Sequence, residues 1–159
     1  MQNVFKKKPE YILSYEDFKA NDTHLVEYYK GKVPYYLLGN NRSYDLPSVD
    51  VINTVCPCAG LSSLNTSASS DAAANDWMST SANYVLGTLK PKVFWGENAP
   101  RLASKMGEPV VESLREIGRK YGYTFSLYKT KSLLHGLSQV RDRSFYFFWK
   151  GKKVPKLEY

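Results

Sequence analysis

Three short groups of reactive side chains occur in order along this chain. The first is Cys56-Pro57-Cys58, at the end of the run Asp50-Val-Ile-Asn-Thr-Val. The second is Gly96-Glu97-Asn98-Ala99, and the third is Gln139-Val-Arg141-Asp-Arg143. Together they offer a thiol, a carboxyl group and a pair of guanidinium groups. A cysteine just past a buried-strand pattern is held at a sheet edge, where its thiolate can attack a bound substrate. The carboxyl group can pass a proton to that substrate, and a guanidinium can clamp an oxygen and lower the thiol pKa.

This set suits chemistry at carbon 5 of a cytosine ring. That carbon is too weak a nucleophile to take a methyl group directly. Thiolate addition at carbon 6 makes carbon 5 enamine-like, and Cys58 is the expected nucleophile. Arg141 and Arg143 are the expected sources of positive charge. Glu97 is placed to protonate ring nitrogen 3, a transfer typically worth about 10²–10⁴ in rate. An arginine on the exocyclic oxygen would fix the ring and stabilise developing charge. A target base inside a duplex is out of reach, so it must swing out. Taken singly, Cys58 could be a small buried residue, Glu97-Asn98 a strand-end turn, and Gln139 to Arg143 a solvated charged stretch. Their order, each at an expected strand boundary, favours the joint reading.

The elements that would position these groups are legible around them. Val49 to Val55 is a short β-branched run with the composition of a buried parallel strand. A Ser/Ala/Asn/Thr-rich stretch, Ser62 to Ser70, reads as a loop, either a linker or a flap over a ligand. Asp71 to Leu89 has helical spacing in Ala74, Trp77, Met78, Ser81, Val85 and Leu89, and Lys90-Pro91 ends it. Lys92 to Trp95 reads as a second strand, delivering Glu97 at its C-terminal end. Pro109 to Tyr121 is the clearest helix, with Val110, Leu114, Ile117 and Tyr121 on one face and Gly122 as the stop. Tyr123 to Tyr128 and Ser144 to Trp149 read as strands joined by the segment that holds Gln139 to Arg143. Before residue 50, Tyr11 to Ala20 reads as a short helix with Ile12, Tyr15 and Phe18 inward. Val33 to Leu38 reads as an edge strand begun by Pro34.

The succession strand, helix, strand, helix, strand, strand predicts an α/β sheet with crossover helices. Ligands of such sheets sit beyond the carboxyl ends of the strands, where all three groups fall. The expected divisions are a mixed segment over 1–49, a core over 50–150 and a basic tail over 151–159.

Composition narrows the class. The 159 residues suit a single core, and a net charge of +7 with 13 Tyr favours an acidic partner such as nucleic acid. The N-terminal Lys6-Lys7-Lys8 is followed by Pro9-Glu10 and not by an apolar stretch, so no signal peptide and no membrane span are expected. Cys56 and Cys58, separated by one residue, would make a strained disulfide, which points to a reducing, cytoplasmic compartment. Two Cys and two His without ligand spacing give no expectation of a metal.

The three motifs together resemble the catalytic core of the DNA cytosine-5 methyltransferases. The family's nucleophile motif, an apolar strand followed by Pro-Pro-Cys-Gln-x-Phe-Ser, is similar to Cys56-Pro57-Cys58-Ala59-Gly60-Leu61-Ser62. Glu-Asn-Val is similar to Glu97-Asn98-Ala99, and Gln-x-Arg-x-Arg matches Gln139 to Arg143. The resemblance covers roughly Asp50 to Trp149. It implies a partial Rossmann-like methyltransferase sheet, with Cys58, Glu97, Arg141 and Arg143 catalytic and Pro57, Ser62, Asn98 and Gln139 contacting the base. It implies S-adenosyl-L-methionine as methyl donor and double-stranded DNA with a flipped cytosine as substrate, in a bacterial or phage-infected cell. It also implies a Phe-x-Gly-x-Gly donor loop, yet no Gly-x-Gly occurs in this chain. The expectation is therefore an incomplete or split enzyme that needs a complementing subunit for the donor loop and the DNA reader. Two rivals remain: a non-catalytic nucleic-acid-binding remnant, and thymidylate-synthase-like attack on a free pyrimidine nucleotide. The ordered Glu-Asn and Gln-x-Arg-x-Arg motifs argue against the second.

Overall fold

The computed structural model describes residues 9–15, 33–38, 45–56, 61, 76–151 and 154. The chain divides into two compact units, Met1–Pro47 and Ser48–Tyr159. In the first unit, β1 (Ile12–Tyr15) and β2 (Tyr35–Leu38) form a parallel pair in which Ile12 faces Tyr35. The Ile12 amide donates to the Pro34 carbonyl at 2.9 Å. The expected helix over Tyr11 to Ala20 is therefore corrected. Its first four apolar-alternating residues find a strand partner some twenty residues on, and 16–20 lie outside the described residues.

The second unit holds a four-stranded sheet. Its strands are β3 (Val51–Val55), β4 (Val93–Asn98), β5 (Tyr123–Lys131) and β6 (Asp142–Lys150), in the spatial order β3-β4-β6-β5. β3 and β4 are parallel, and β6 is antiparallel to both of its neighbours. The last strand thus inserts between two strands that precede it. Helix α1 (Asp76–Tyr84) continues as a π-helical turn, Val85–Leu89, and crosses from β3 to β4. Helix α2 (Glu108–Tyr121) crosses from β4 to β5. This is the expected partial Rossmann-like arrangement with crossover helices.

Local chemistry explains both helices. In the π-helical turn the Lys90 amide reaches back to the Val85 carbonyl at 2.8 Å, and Lys90 adopts a left-handed conformation just before Pro91. Pro91 cannot extend a helix, so the chain turns into β4. In α2, Pro109 stands in the first turn and Arg119 and Lys120 in the last, complementing the helix dipole. Gly122 closes it at φ 76°, a conformation that costs a side-chain-bearing residue about 1–2 kcal/mol.

Both helices pack on the same face of the sheet. Met78, Ala82, Val85 and Leu86 meet Val110, Val111, Leu114 and Ile117 over Phe94, Tyr146 and Phe148. The alternation in β4 is strict: Phe94, Gly96 and Asn98 are buried, whereas Val93, Trp95 and Glu97 are half-buried on the opposite face. That opposite face carries an aromatic ladder. Phe147 stacks on Trp149 at 5.1 Å and on Trp95 at 6.0 Å.

Gly96 marks a close approach. A Cβ there would lie 2.3 Å from the Tyr146 hydroxyl oxygen, because the Tyr146 ring crosses directly over the strand. Tyr146 itself is fully buried, edge-on to Phe94 and Phe148.

Three strands run longer than expected, β5 continuing past Tyr128 to Lys131. β4 extends through Asn98, so Glu97 lies within it and not beyond it. β6 begins at Asp142, which brings Arg143 out of the connecting segment and into the sheet. Pairing with Lys131 and Thr130 of β5 extends the strand across the charged residues.

Candidate active site

The carboxyl end of the parallel pair β3 and β4 holds Glu97 and, just past β3, Cys56. Val55 is the register partner of Glu97, so the strand that leads into Cys56 lies hydrogen-bonded beside the acid. β6 runs the other way and begins at the same end, with Phe145 opposite Glu97. Glu97 and Arg143 are thus diagonal neighbours on one face, a separation that long side chains can bridge.

They do bridge it. The Arg143 Nε donates to a Glu97 carboxylate oxygen, in an ion pair whose members are 24% and 29% exposed. This intermediate burial matters. The pair is partly shielded from water, yet both groups remain reachable. The guanidinium is steadied by a second bond, from Nη1 to the Asp142 carbonyl at 2.7 Å.

Cys56 follows β3 and is a buried free thiol. Its Sγ lies 3.5 Å from Thr54 Oγ1, 3.8 Å from Ser81 Oγ and 4.0 Å from the Tyr146 hydroxyl. Burial, together with the neighbouring Cys56 thiol, holds the Tyr146 phenol proton well above its usual range. Tyr146 therefore stays neutral and acts as a fixed strut beneath the strand end. Cys58 and Pro57 lie outside the described residues, as does Ser62.

The other expected site residues fall in different surroundings. Asn98 is fully buried on the helix side of the sheet. Its Oδ1 accepts the Ala99 amide at 2.8 Å, and its Nδ2 donates to the Met78 sulfur at 3.4 Å. These bonds tie the end of β4 to α1. Gln139 and Arg141 are exposed in the segment before β6. The Arg141 amide donates to Ser132 Oγ at 2.8 Å, so its backbone is fastened while the residue remains exposed.

Sequence reasoning missed Tyr146, Ser81 and Ser132. Alternation along Ser144, Tyr146 and Phe148 could have placed Tyr146 in the core. The contact with Cys56 spans ninety residues and has no local signal. Among the described residues no group of His, Cys, Asp and Glu could hold a metal ion, and no helix is long and apolar enough to cross a membrane.

The family model described as C-5 cytosine-specific DNA methylase matches residues 17–158. A comparison with curated protein sequences returns no match. Two solved structures share the fold. One is described as a DNA modification methyltransferase encoded within a prophage (E. coli), with TM-score 0.50 and 20% identity. That alignment covers 82% of this chain and 31% of the other. The second is the Entamoeba histolytica methyltransferase EhMeth, with TM-score 0.52 and 14% identity, covering 96% of this chain and 56% of the other. The chain thus spans between about a third and just over half of the length of these two proteins.

Proposed function

This chain belongs to the C-5 cytosine-specific DNA methylase family, and we propose that it forms the catalytic middle of an enzyme that methylates carbon 5 of cytosine in DNA. The observation that carries this reading is the Glu97–Arg143 ion pair at the carboxyl end of β4. Two motifs more than forty residues apart in sequence supply one acid and one guanidinium within contact. β3, the strand leading to Cys56-Pro57-Cys58, pairs directly with the strand that carries Glu97.

In the proposed cycle the Cys58 thiolate adds to carbon 6 of an extruded cytosine. Glu97 takes up a proton from solvent as Arg143 turns toward the base and passes it to ring nitrogen 3, so the charge entering the ring is neutralised as the carbon–sulfur bond forms. Arg143 exchanges part of its contact with Glu97 for the exocyclic oxygen of the base. Arg141, Gln139, Pro57 and Ser62 line the approach of the base. Asn98 supports the site from beneath, through Ala99 and Met78.

The family's donor is S-adenosyl-L-methionine, and the described residues offer no glycine-rich loop of the kind that would hold it. No Gly-x-Gly occurs in the sequence, and among the described residues no strand runs into such a turn. In this reading the donor loop and the DNA reader come from outside these residues, and a complementing subunit is the proposed source.

A duplex carrying 5-fluorocytosine tests the cycle, with the purified chain alone and with candidate complementing chains. The chain alone is expected to be inactive or nearly so. In a reconstituted system a covalent adduct is expected from the native chain and from Cys56→Ser, and none from Cys58→Ser. An adduct that survives Cys58→Ser and vanishes with Cys56→Ser would overturn the choice of nucleophile. The net charge of +7 supports a second reading, a non-catalytic nucleic-acid binder. Steeply salt-dependent DNA binding with no adduct under any condition would favour it.

A further inference from the structure

Arg143 is the second residue of β6, and the loop that leads into that strand is not held by apolar packing. Between β5 and β6 the chain makes a 3-10 turn, Ser132–His135, and then an exposed segment to Arg141. Leu133, Leu134, Leu137 and Val140 are all exposed there. Such a loop would ordinarily sample many conformations, and Arg143 would move with it.

One residue fastens both ends of it. Ser132 is buried, and its hydrogen-bonding groups all turn on the segment that follows. Its amide donates to the Arg141 carbonyl at 3.1 Å, and its carbonyl accepts the Leu137 amide at 3.2 Å. Its hydroxyl does two things at once. The Oγ accepts the Arg141 amide at 2.8 Å and donates its own proton to the Gln139 carbonyl. Gly136, at φ 74°, reverses the chain so that these partners can face Ser132. The loop is closed by a polar staple where an apolar one is absent. The closure falls two residues before Arg143.

We propose that Ser132 is a positioning residue for Arg143: its hydroxyl closes the loop before β6 and so sets the guanidinium against Glu97. The inference rests on the reading of Glu97 and Arg143 given above, but its first test does not need catalysis. A backbone closed at Arg141 starts β6 in one register, with Thr130 opposite Arg143. With the hydroxyl gone, only the backbone bonds of Ser132 to Arg141 and Leu137 remain, and the exposed leucines add nothing to hold that start. The first residues of β6 fray, and the ion pair is lost part of the time.

The test uses the full chain labelled with ¹⁵N-arginine. The Nε–H of Arg143, bonded to Glu97, is expected to exchange slowly with water. Glu97→Gln identifies that resonance by shifting it. Ser132→Ala should speed its exchange about tenfold, the size of a lost pair of neutral hydrogen bonds. The amides of α2 should keep their protection. Ser132→Thr, which keeps the hydroxyl, should restore slow exchange, and Ser132→Cys, a weaker donor of similar size, should fall between. Unchanged exchange in Ser132→Ala overturns the proposal. If Ser132→Ala does not fold, exchange in Ser132→Cys equal to that of the native chain overturns it instead.

In a reconstituted enzyme, Ser132→Ala should lower kcat about tenfold with KM for DNA held within about twofold. Equal losses in the Ala and Thr variants would count against the hydroxyl. Absence of any adduct in the native chain would count against the proposed reaction, while the exchange measurements would still decide the role of Ser132.

Discussion

Replacing Gly96 with alanine tests how the sheet holds its acid in place. The added Cβ would lie 2.3 Å from the Tyr146 hydroxyl oxygen, 2.4 Å from Cζ and 2.8 Å from Cε1. Three contacts at such distances cannot be relieved by turning the ring about its own axis. The whole tyrosine must translate, and it is fully buried against Phe94 and Phe148. Overpacking of this kind costs about 1–3 kcal/mol, and the rigidity of the site places it near the top of that range. Alanine recovers about 0.5–1 kcal/mol by restricting the unfolded chain. The net expectation is a loss of about 2 kcal/mol. For a unit of this size that is a fall in Tm of roughly 8 °C.

Thermal and urea unfolding of Gly96→Ala, Tyr146→Leu and the double variant would measure it. In the Tyr146→Leu background the added methyl has room, so the cycle should show a coupling of about 1 kcal/mol or more. A cost below about 0.5 kcal/mol for Gly96→Ala alone would refute the reasoning, as would additivity in the cycle. The same displacement should reach the site. Tyr146 shifts away from Cys56, and the strand end beside Glu97 shifts with it.

Three further outcomes follow from the same geometry. Glu97→Gln, which keeps the shape and loses the charge, should reduce adduct formation in a reconstituted enzyme about 10²–10⁴-fold, measured by trapping on 5-fluorocytosine DNA. Gly122→Ala, forced to φ 76° with open space around it, should lower stability by about 1–2 kcal/mol in urea unfolding without steric damage. The Glu112 carboxyl is held below its usual pKa by hydrogen bonds from Arg115 and then Arg119. A depressed carboxylate contributes stability that is present above its unfolded pKa and is lost as pH falls through the lowered folded value. Glu112→Gln should therefore lower stability slightly at neutral pH, with the native and variant stability–pH curves converging as pH falls below about 4.5, and added salt should shrink the neutral-pH difference.

What was legible in the sequence was what short-range chemistry decides. Pro109 and Gly122 bracket α2, and the structure begins that helix at Glu108 and ends it at Tyr121. The β-branched run before Cys56 became β3, paired in parallel as its composition suggested, but among the described residues it is an edge strand with Val51 and Val55 exposed where a buried strand was expected. Features set by distant partners were not legible. Ile12 to Tyr15 is too short to tell one period from another, and its strand character comes from β2. Arg143 sits among charges that look like loop, and β5 draws it into a strand. The position of β6 between β4 and β5 leaves no local trace at all. Asn98 shows a different limit. A motif names a polar residue without naming its face. The alternation Phe94, Gly96, Asn98 could have indicated that it turns inward.

Glu97 and Asn98 are adjacent, both polar, and opposite in fate. Nothing intrinsic to the two side chains decides which turns outward. The parity of β4 decides it. The count of residues from Pro91, fixed at the strand's start by bonds between the Val93 amide and Asp50 and between the Lys150 amide and Lys92, makes the ninety-seventh side chain point outward. A single inserted or deleted residue in that short run would exchange the two. It would drive a carboxylate under α1, at a desolvation cost of several kcal/mol, and present an amide that cannot give up a proton in its place. Reactivity here is inherited from counting, and the penalty for miscounting guards the count.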